Sequence, residues 1–303
     1  MHKVRHPDTR GLKAIPDIWH ISILLAFHYI SVLYRQDMDV VLVVAAIALT
    51  AALSVGCYYL RCITLDGAVA SFAVGSIVAV FSSFNAFVLL TIFTMAGFAA
   101  TFYGIRQKMA EGLQEGKSGE RNWKNVLGVG LPPCIIVLAH YFLNFDPELF
   151  YVMFIATLAV AGADTIASEI GVRDKRTYLI TTMKPCETGM NGGVSRLGTA
   201  VSTATAFVIA VLGWLIMDGC LDAMLLVPFA AGVFGNILDS VFGVVLEDAG
   251  YISKYTNNAS TALIGALFGG AVWLVISRSS IIHIAPRMSR NYFKGQLLRI
   301  LKR

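Results

Sequence analysis

The chain has 303 residues, of which 56% are hydrophobic and 14% are charged, with a formal net charge of +5. Soluble proteins carry about 25% charged residues, so this composition excludes an ordinary soluble protein. The apolar residues come in long blocks rather than alternating segments, which favours a helical membrane protein over a transmembrane barrel. The basic residues are dispersed among loops without an aromatic-basic platform, so we predict a lipid bilayer as partner and no nucleic acid.

In chain order, the apolar runs predict an all-α, polytopic membrane protein with about eight or nine transmembrane or re-entrant helices. The predicted spans are Ile18–Tyr34, Asp39–Leu60, Leu65–Ser82, Phe84–Gly104, Val126–Leu143, Glu148–Ile170, Leu197–Met217, Asp222–Leu246 and Thr261–Ser277. Pro132 and Pro133 predict a kink in the fifth span or a short lead-in helix that ends there. We expect one membrane-embedded domain over residues 1–277 and a basic, amphipathic tail at 278–303.

The distribution of Lys and Arg predicts the orientation in the membrane. The segments on the side of the N-terminus hold sixteen of these residues, whereas the opposite loops hold only Arg35. Because basic loops stay in the cytoplasm, we expect the N-terminus and both large loops to be cytoplasmic, with a prokaryotic cell membrane as the default location. Nine spans would place the basic tail outside. Either Thr261–Ser277 is then re-entrant, another span is miscounted, or the tail departs from the rule.

The sixth span holds the first candidate functional residues. Asp164, Thr165, Ser168 and Glu169 lie inside an apolar run. An ionisable side chain at membrane depth costs about 2.5–3.5 kcal/mol, and such side chains normally face a polar cavity or one another. On a regular helix only Asp164 with Ser168, and Thr165 with Glu169, share a face. Both acids therefore reach one site only if the helix unwinds near Gly171.

The eighth span carries a second polar cluster, in which Asn236, Asp239, Ser240 and Gly243 are spaced as one stripe of a helix. The sixth and eighth spans run in the same direction, and Asp164 and Asp239 lie at a similar depth of about 10–12 Å from their cytoplasmic ends. Two such aspartates with hydroxyl neighbours fit a divalent-cation site, because Mg²⁺ prefers carboxylate oxygens and water. The alternative is that each aspartate is protonated or bridges to a neighbouring helix.

The loop from Gly189 to Arg196 has the composition of an anion-binding nest. Its glycines let backbone N–H groups converge, and Lys184, Ser195 and Arg196 would complete a phosphate site. The loop matches neither a Walker motif nor GxGxxG, so a flexible connector is the alternative.

Polar residues also occur at other cytoplasmic span ends. Asp66 and Asn257 are interpreted chiefly as helix caps, and Arg121 and Asn258 are further candidates for the site. The five cysteines show no metal-binding spacing and are interpreted as buried small hydrophobes.

Four segments together resemble one membrane-protein family. They are RNWKNVLGVG (Arg121–Gly130), DTIASEIG (Asp164–Gly171), NGGVSRLGT (Asn191–Thr199) and GNILDSVFG (Gly235–Gly243). They resemble the family grouped with transmembrane protein 19 and the plant phytyl-phosphate kinase, and the resemblance covers about residues 46–272. This chain departs from the family in reading GMNGG for GTNGG or GTEGG. It also has Asn257–Thr261 where the family has Asn–Asp–x–Val–Asn.

The resemblance implies transfer of a phosphoryl group from a nucleoside triphosphate, with CTP as one candidate, to an isoprenoid monophosphate. It would assign Mg²⁺ to the carboxylates of Asp164, Glu169 and Asp239, with Lys184 as a further catalytic group. The phosphate-binding residues would be Asn191, Gly192, Gly193, Ser195, Arg196 and Arg121. The auxiliary residues would be Thr165, Ser168, Asn236, Ser240, Asp66, Asn257 and Asn258.

Two other functions remain open from the sequence. An ion- or proton-coupled transporter would also use the buried Asp164 and Asp239, and a non-catalytic lipid-binding or scaffold protein is the third option. The outer loops are short and nearly uncharged, whereas a carrier needs polar groups on both sides of its site. The sequence therefore favours the enzyme.

Overall fold

The computed structural model describes residues 40–114 and 116–279, so the predicted first span Ile18–Tyr34 and nearly all of the tail lie outside the described residues. Met1–Ala45 and Ala46–Arg303 form two compact units, and the helical bundle belongs to the second. The helices are α1 (Val40–Tyr59), α2 (Leu65–Phe81), α3 (Phe84–Phe102), α4 (Ile105–Glu111), α5 (Trp123–Leu143), α6 (Pro147–Gly171), α7 (Arg196–Asp218), α8 (Leu226–Phe242) and α9 (Lys254–Arg278). A 3₁₀ turn (Ala223–Leu225) precedes α8 and a π-helical turn (Gly243–Glu247) follows it.

The described helices confirm the polytopic all-α class. Seven are long and apolar enough to cross a membrane, namely α1, α3, α5, α6, α7, α9 and the continuous stretch from Ala223 to Glu247. The apolar helix α2 has 17 residues, which is shorter than the roughly 20 that the hydrocarbon core requires. Each predicted span from the second to the ninth thus corresponds to an apolar helix. The single domain over residues 1–277 and the amphipathic tail stay predictions.

Two helices are more continuous than the sequence indicated. α5 runs through Pro132 and Pro133, so the proposed lead-in helix is wrong, and a capping box at Asn122 starts the helix instead. α9 begins at Lys254 with Ser253 as its cap and continues for 25 residues. At 1.5 Å per residue such a helix is long enough to span the hydrocarbon core, which argues against a re-entrant Thr261–Ser277.

Helix α6 forms the centre of the bundle. It packs against α3, α5, α7, α8 and α9, and its middle turns from Val152 to Ala163 are almost entirely buried. Glycines let α8 and α9 approach it closely. A Cβ atom at Gly265 would lie 2.6 Å from Val160 Cγ2, and one at Gly235 would also clash with Val160. This close, side-by-side packing allows polar groups on α6 and α8 to meet.

The loop after α6 is an ordered small sheet and not a flexible connector. Its strands are β1 (Thr177–Leu179), β2 (Pro185–Cys186) and β3 (Gly193–Ser195), in the antiparallel order β2-β1-β3. Thr177 pairs with Cys186 on one side and with Ser195 on the other. The sheet therefore brings the glycine-rich segment back to the end of the bundle where α6 ends and where β3 leads directly into α7.

Candidate functional site

The structure brings Asp164 of α6 and Asp239 of α8 together. Their side chains are hydrogen-bonding neighbours, although the two residues are 75 positions apart in the chain. Two neighbouring carboxylates repel each other unless a cation or a shared proton compensates their charge. The two predicted spans therefore bring their aspartates together. Both a bound cation and a shared proton are compatible with this arrangement.

Three side chains of α9 surround the pair. Asn258 Nδ2 donates to Asp164 Oδ2 over 3.3 Å, and Thr261 Oγ1 donates to Asp239 Oδ1 over 3.0 Å. Asn257 is 2% exposed and its Nδ2 donates to the backbone carbonyl of Asp239 over 3.1 Å. These contacts orient both carboxylates from one helix. They also show that the cap interpretation of Asn257 is wrong, because Ser253 caps α9.

The glycine-rich loop contacts the same end of α8. Asn191 Nδ2 donates to Glu247 Oε1 over 3.2 Å and to Asp248 Oδ1 over 2.7 Å. Glu247 is close enough to Asp164 to interact with it electrostatically, and Lys254 offsets part of this negative charge. The C-terminal end of α8 therefore carries further acids near the aspartate pair, and Lys254 lies among them.

Gly192 packs the loop closely against the end of α8. Its φ is +66°, in the left-handed region that favours glycine, and a Cβ atom there would lie 2.6 Å from the carbonyl oxygen of Ser240. Gly243, where the π-helical turn begins, is the other surface of this contact, since a Cβ there would lie 3.3 Å from the Gly192 nitrogen. The turn thus lets the loop approach the polar stripe of α8.

The predicted anion nest is not formed as expected. The Gly193 amide donates to the Met190 carbonyl over 3.0 Å. The Ser195 hydroxyl caps α7 by accepting from the Gly198 amide over 3.0 Å. Lys184 is exposed in the turn between β1 and β2. The Gly193 amide and the Ser195 hydroxyl thus make hydrogen bonds within the loop and at the start of α7, so these two groups do not form the expected nest.

Arg196 is exposed at the start of α7 and lies beside Asp174. A hydrogen bond from the Arg176 backbone N–H lowers the pKa of Asp174 most, and the positive charges of Arg176 and Arg196 lower it further. Arg196 therefore has an acidic neighbour in the loop after α6, outside the aspartate pair.

Glu169 belongs to a different cluster from Asp164. Its Oε2 accepts from Lys108 Nζ over 2.6 Å, and its Oε1 accepts from Thr101 Oγ1 and Arg121 Nη2, each over 3.0 Å. Helix α6 stays regular through Gly171, so the unwinding that would turn both acids to one site does not occur. The assignment of Glu169 as a metal ligand and of Arg121 as a phosphate ligand of the same site is therefore corrected. Both side chains take part in an ion-pair network on another face of α6.

Three further predicted residues lie on α6 and α8. Thr165 is buried and lines a pocket toward α3, whereas Ser168 is exposed one turn after Asp164 and donates to the Thr165 carbonyl. Ser240 donates to the Asn236 carbonyl within α8.

Asp66 lies in the first turn of α2, near the backbone of Arg121. Thr64 is the cap of that helix, so the cap interpretation of Asp66 is wrong by two positions. Asp66 instead accepts from the Thr64 hydroxyl and from the backbone N–H of Trp123, and so connects the starts of α2 and α5.

Comparison with known proteins places most of the membrane region in one family. Residues 48–282 match the family described as integral membrane protein DUF92. The chain belongs to this family. The relation that the four motifs indicated is thereby confirmed, and the chain is an integral, multi-pass membrane protein.

Several relatives come from distant organisms. Uncharacterized membrane protein MJ0933 of Methanocaldococcus jannaschii is 30% identical over 71% of this chain and 86% of its own length. Protein VTE6, chloroplastic, of Arabidopsis thaliana is 26% identical over 71% of this chain and 66% of its own length. Protein PGR of the same plant is 27% identical over 69% of this chain and 80% of its own length. No solved structure matches the chain significantly.

The chemistry of the aspartate pair fits a Mg²⁺ ion. In proteins Mg²⁺ is typically held by one or two carboxylates and completes its shell with water and phosphate oxygens. Asp164 and Asp239 supply two carboxylates, and side-chain amides of Asn191 and Asn258 lie around them and their acidic neighbours. Among the described residues, three metal-binding side chains also converge at Asp218, Cys220 and Asp222, in the turn between α7 and α8. That exposed group lies at the opposite end of the bundle from the family motifs.

Sequence reasoning missed several residues of both clusters. Lys108 and Thr101 were not singled out, although a buried Glu169 requires a cation and hydrogen-bond donors nearby. Thr261, Glu247 and Asp248 were also missed. The spacing of Thr261 from Asn257 and Asn258, on one face of a helix, was the available signal for that residue.

Proposed function

We propose that the protein transfers a phosphoryl group from a nucleoside triphosphate to an isoprenoid monophosphate. The observation that carries this proposal is the contact between Asp164 and Asp239, from separate spans, at the end of the bundle where the loops are basic. Membership of the DUF92 family, with protein VTE6 among the relatives, supports the same class of reaction.

In this proposal Asp164 and Asp239 hold Mg²⁺. The bound ion would neutralise phosphate charge and orient the transferred group, which is most of what phosphoryl transfer requires. Asn258 and Thr261 fix the orientation of the two carboxylates through their hydrogen bonds. Asn191 positions the loop over this end of α8, and Lys254 supplies positive charge beside Glu247. The isoprenoid chain lies in the bilayer while its phosphate faces the cytoplasm.

Enzymatic assay of the purified chain in lipid nanodiscs tests the proposal. Geranylgeranyl monophosphate and Mg²⁺ are supplied with each nucleoside triphosphate in turn, and the diphosphate is quantified. We expect turnover with at least one donor, and a loss of at least about 100-fold in Asp164→Asn and in Asp239→Asn, because each removes a metal-binding charge. Asp146→Asn is the matched control, since asparagine is an equally good cap for α6, which begins after Asp146.

A transporter is the competing outcome, because the paired aspartates lie within membrane-spanning helices. Solute or proton flux in proteoliposomes that Asp164→Asn abolishes, together with no turnover for any donor, would replace the kinase proposal. Mg²⁺-dependent thermal stabilisation that disappears in Asp239→Asn but persists in Asp146→Asn would support the metal assignment independently of turnover.

A further inference from the structure

A pocket of about 130 Å³ lies on the face of α6 that points away from the aspartate pair. It is surrounded by α1, α2, α3 and α5, and Thr165 is the α6 residue that lines it. Its walls are largely aliphatic and aromatic. They include Leu53, Val74, Phe87, Leu90, Phe93 and Val129. Such walls suit hydrocarbon and not a nucleotide.

One end of this pocket is cationic. Arg121 lines it, and a parallel bridge between Ile63 and Arg121 fixes the backbone there. Its hydrogen bonds to Glu169 and Thr101 within the described part of the chain both use Nη2. A guanidinium has five N–H donors, so Nη1 and Nε remain for a ligand in the pocket.

The charges around Arg121 do not balance. Lys108 and Arg121 supply two cations to the one carboxylate of Glu169, and the Lys108 side chain is only 5% exposed. Lys108 is otherwise satisfied by the carbonyl oxygens of Ala100 and Thr101 at the end of α3. The excess positive charge therefore lies on Arg121, whose side chain is 17% exposed. An anion bound beside Arg121 would be favourable at this depth.

We infer that this pocket binds the head-proximal part of a single-chain lipid whose anionic headgroup contacts Arg121. An apolar cavity of about 150 Å³ in another protein holds one benzene molecule, so this pocket has room for a short stretch of chain, and the rest extends into the bilayer. The inference goes beyond the proposed phosphoryl transfer, because it concerns the opposite face of α6 and requires no catalysis.

Binding to the purified full-length protein tests the inference, measured by native mass spectrometry without nucleotide or Mg²⁺. Without Mg²⁺ and nucleotide, the metal-dependent site proposed at the aspartate pair is incomplete, so we expect the pocket to account for the binding. The probes are farnesyl monophosphate and dodecyl phosphate. The two control compounds are dodecanol, which lacks the charge, and inorganic phosphate, which lacks the hydrocarbon chain. We expect saturable binding of at least one phosphorylated probe and at least tenfold weaker binding of the two control compounds. Binding of farnesyl monophosphate alone would identify an isoprenoid ligand. Binding of both probes would show that the pocket accepts single-chain anionic lipids in general.

Gly97→Leu is the variant that fills the pocket. A Cβ atom at Gly97 would meet only Thr165 Cγ2, at an ordinary 3.7 Å, so the larger side chain extends into pocket space. Gly56→Leu on α1 is the matched control, since a Cβ there has nothing within 4 Å. Thr91→Leu is a second filling variant, because Thr91 lines the pocket and its hydroxyl donates to the Phe87 carbonyl of its own helix.

We expect at least tenfold weaker binding in Gly97→Leu, Thr91→Leu and Arg121→Gln, and unchanged binding in Gly56→Leu. Two results would overturn the inference. One is equal affinity of the phosphorylated probes for both filling variants and the unmodified protein. The other is absence of saturable binding to the unmodified protein, including the case in which residues 1–39 of this chain occupy the pocket.

Discussion

At the scale of single residues, Glu169 and Asp164 show two uses of an acid in the same helix. Glu169 is 7% exposed and has two cationic partners and a hydroxyl donor, so its charge is compensated within the protein. Asp164 has another carboxylate as a neighbour, so its charge is not compensated by that contact. A buried acid with cationic partners stabilises an arrangement of helices, whereas a cation bound between two neighbouring acids relieves their mutual repulsion.

Glu169→Gln should therefore reduce stability rather than act only on turnover. The substitution leaves Lys108 and Arg121 without their carboxylate partner, and breaking a buried ion pair costs about 3–5 kcal/mol. The exposed pair of Lys175 and Glu111 is the control, because Glu111→Gln should cost about 0–1 kcal/mol at a surface. Denaturant unfolding in mild detergent measures both. Equal losses in the two variants would contradict a structural role for the buried network.

Thr261→Val tests the orientation of Asp239. Valine has nearly the shape of threonine but cannot donate to Asp239 Oδ1, so the carboxylate loses one of its fixed partners. We expect about tenfold lower diphosphate formation, which corresponds to roughly 1.4 kcal/mol of lost transition-state stabilisation. Thr203→Val is the control, because Thr203 is exposed on α7 and donates to the Thr199 carbonyl of its own helix. If both variants have the same activity, Thr261 does not position the aspartate.

The sequence could identify the paired aspartates but not all of their partners. Depth along a helix can be counted in residues, so Asp164 and Asp239 could be matched before the fold was known. Which helix lies on which face of α6 depends on long-range packing, and the same reasoning wrongly grouped Glu169 and Arg121 with them. Lys108 was inaccessible for the same reason, since its partner lies 61 positions further along the chain.

At the scale of elements, the loop between α6 and α7 is a rigid support for the site. The strands β1 and β3 pair over three residues each, and Asn191 anchors the loop to the end of α8. Hydropathy predicts the spans because each span is a local, apolar run, but polar loop segments carry no such signal. The sheet and the π-helical turn at Gly243 therefore appear only in the structure.

Gly192→Ala should detach this loop from α8. The added Cβ would meet the Ser240 carbonyl at 2.6 Å, and overpacking of this kind costs about 1–3 kcal/mol. Gly112→Ala is matched for backbone strain, because its φ of +69° is close to the +66° of Gly192 and its Cβ would have nothing within 4 Å. We expect a larger loss of turnover and faster hydrogen exchange of residues 177–195 in Gly192→Ala. Indistinguishable variants would mean that backbone strain alone accounts for the effect.

At the scale of the whole molecule, the charges of the described loops divide the bundle into two ends. The loops at 60–64, 103–122, 172–195 and 248–253 all connect helices at one end and carry basic residues in the first three cases. The described turns at 82–83, 144–146 and 219–225 connect the other end and contain no Lys or Arg. The positive-inside rule then assigns the aspartate pair to the cytoplasmic half.

Two native cysteines can test this orientation. Cys220 is exposed in the turn between α7 and α8, and Cys186 is half-buried in β2 at the opposite end. In intact cells whose protein has Cys57, Cys62 and Cys134 replaced by alanine, a membrane-impermeant maleimide should label Cys220 directly. Cys186 should react only after the membrane is permeabilised. The reverse order would mean that the basic loops face outward.

The same experiment determines where α9 ends. Because α9 is continuous for 25 residues from the basic end, Ser279 should emerge on the side of Cys220, and the basic tail would then depart from the positive-inside rule. A Ser279→Cys substitution in a protein lacking the native cysteines should therefore be labelled in intact cells. Labelling only after permeabilisation would place Ser279 with the cytoplasmic loops, and α9 would then have to lie in the membrane without crossing it.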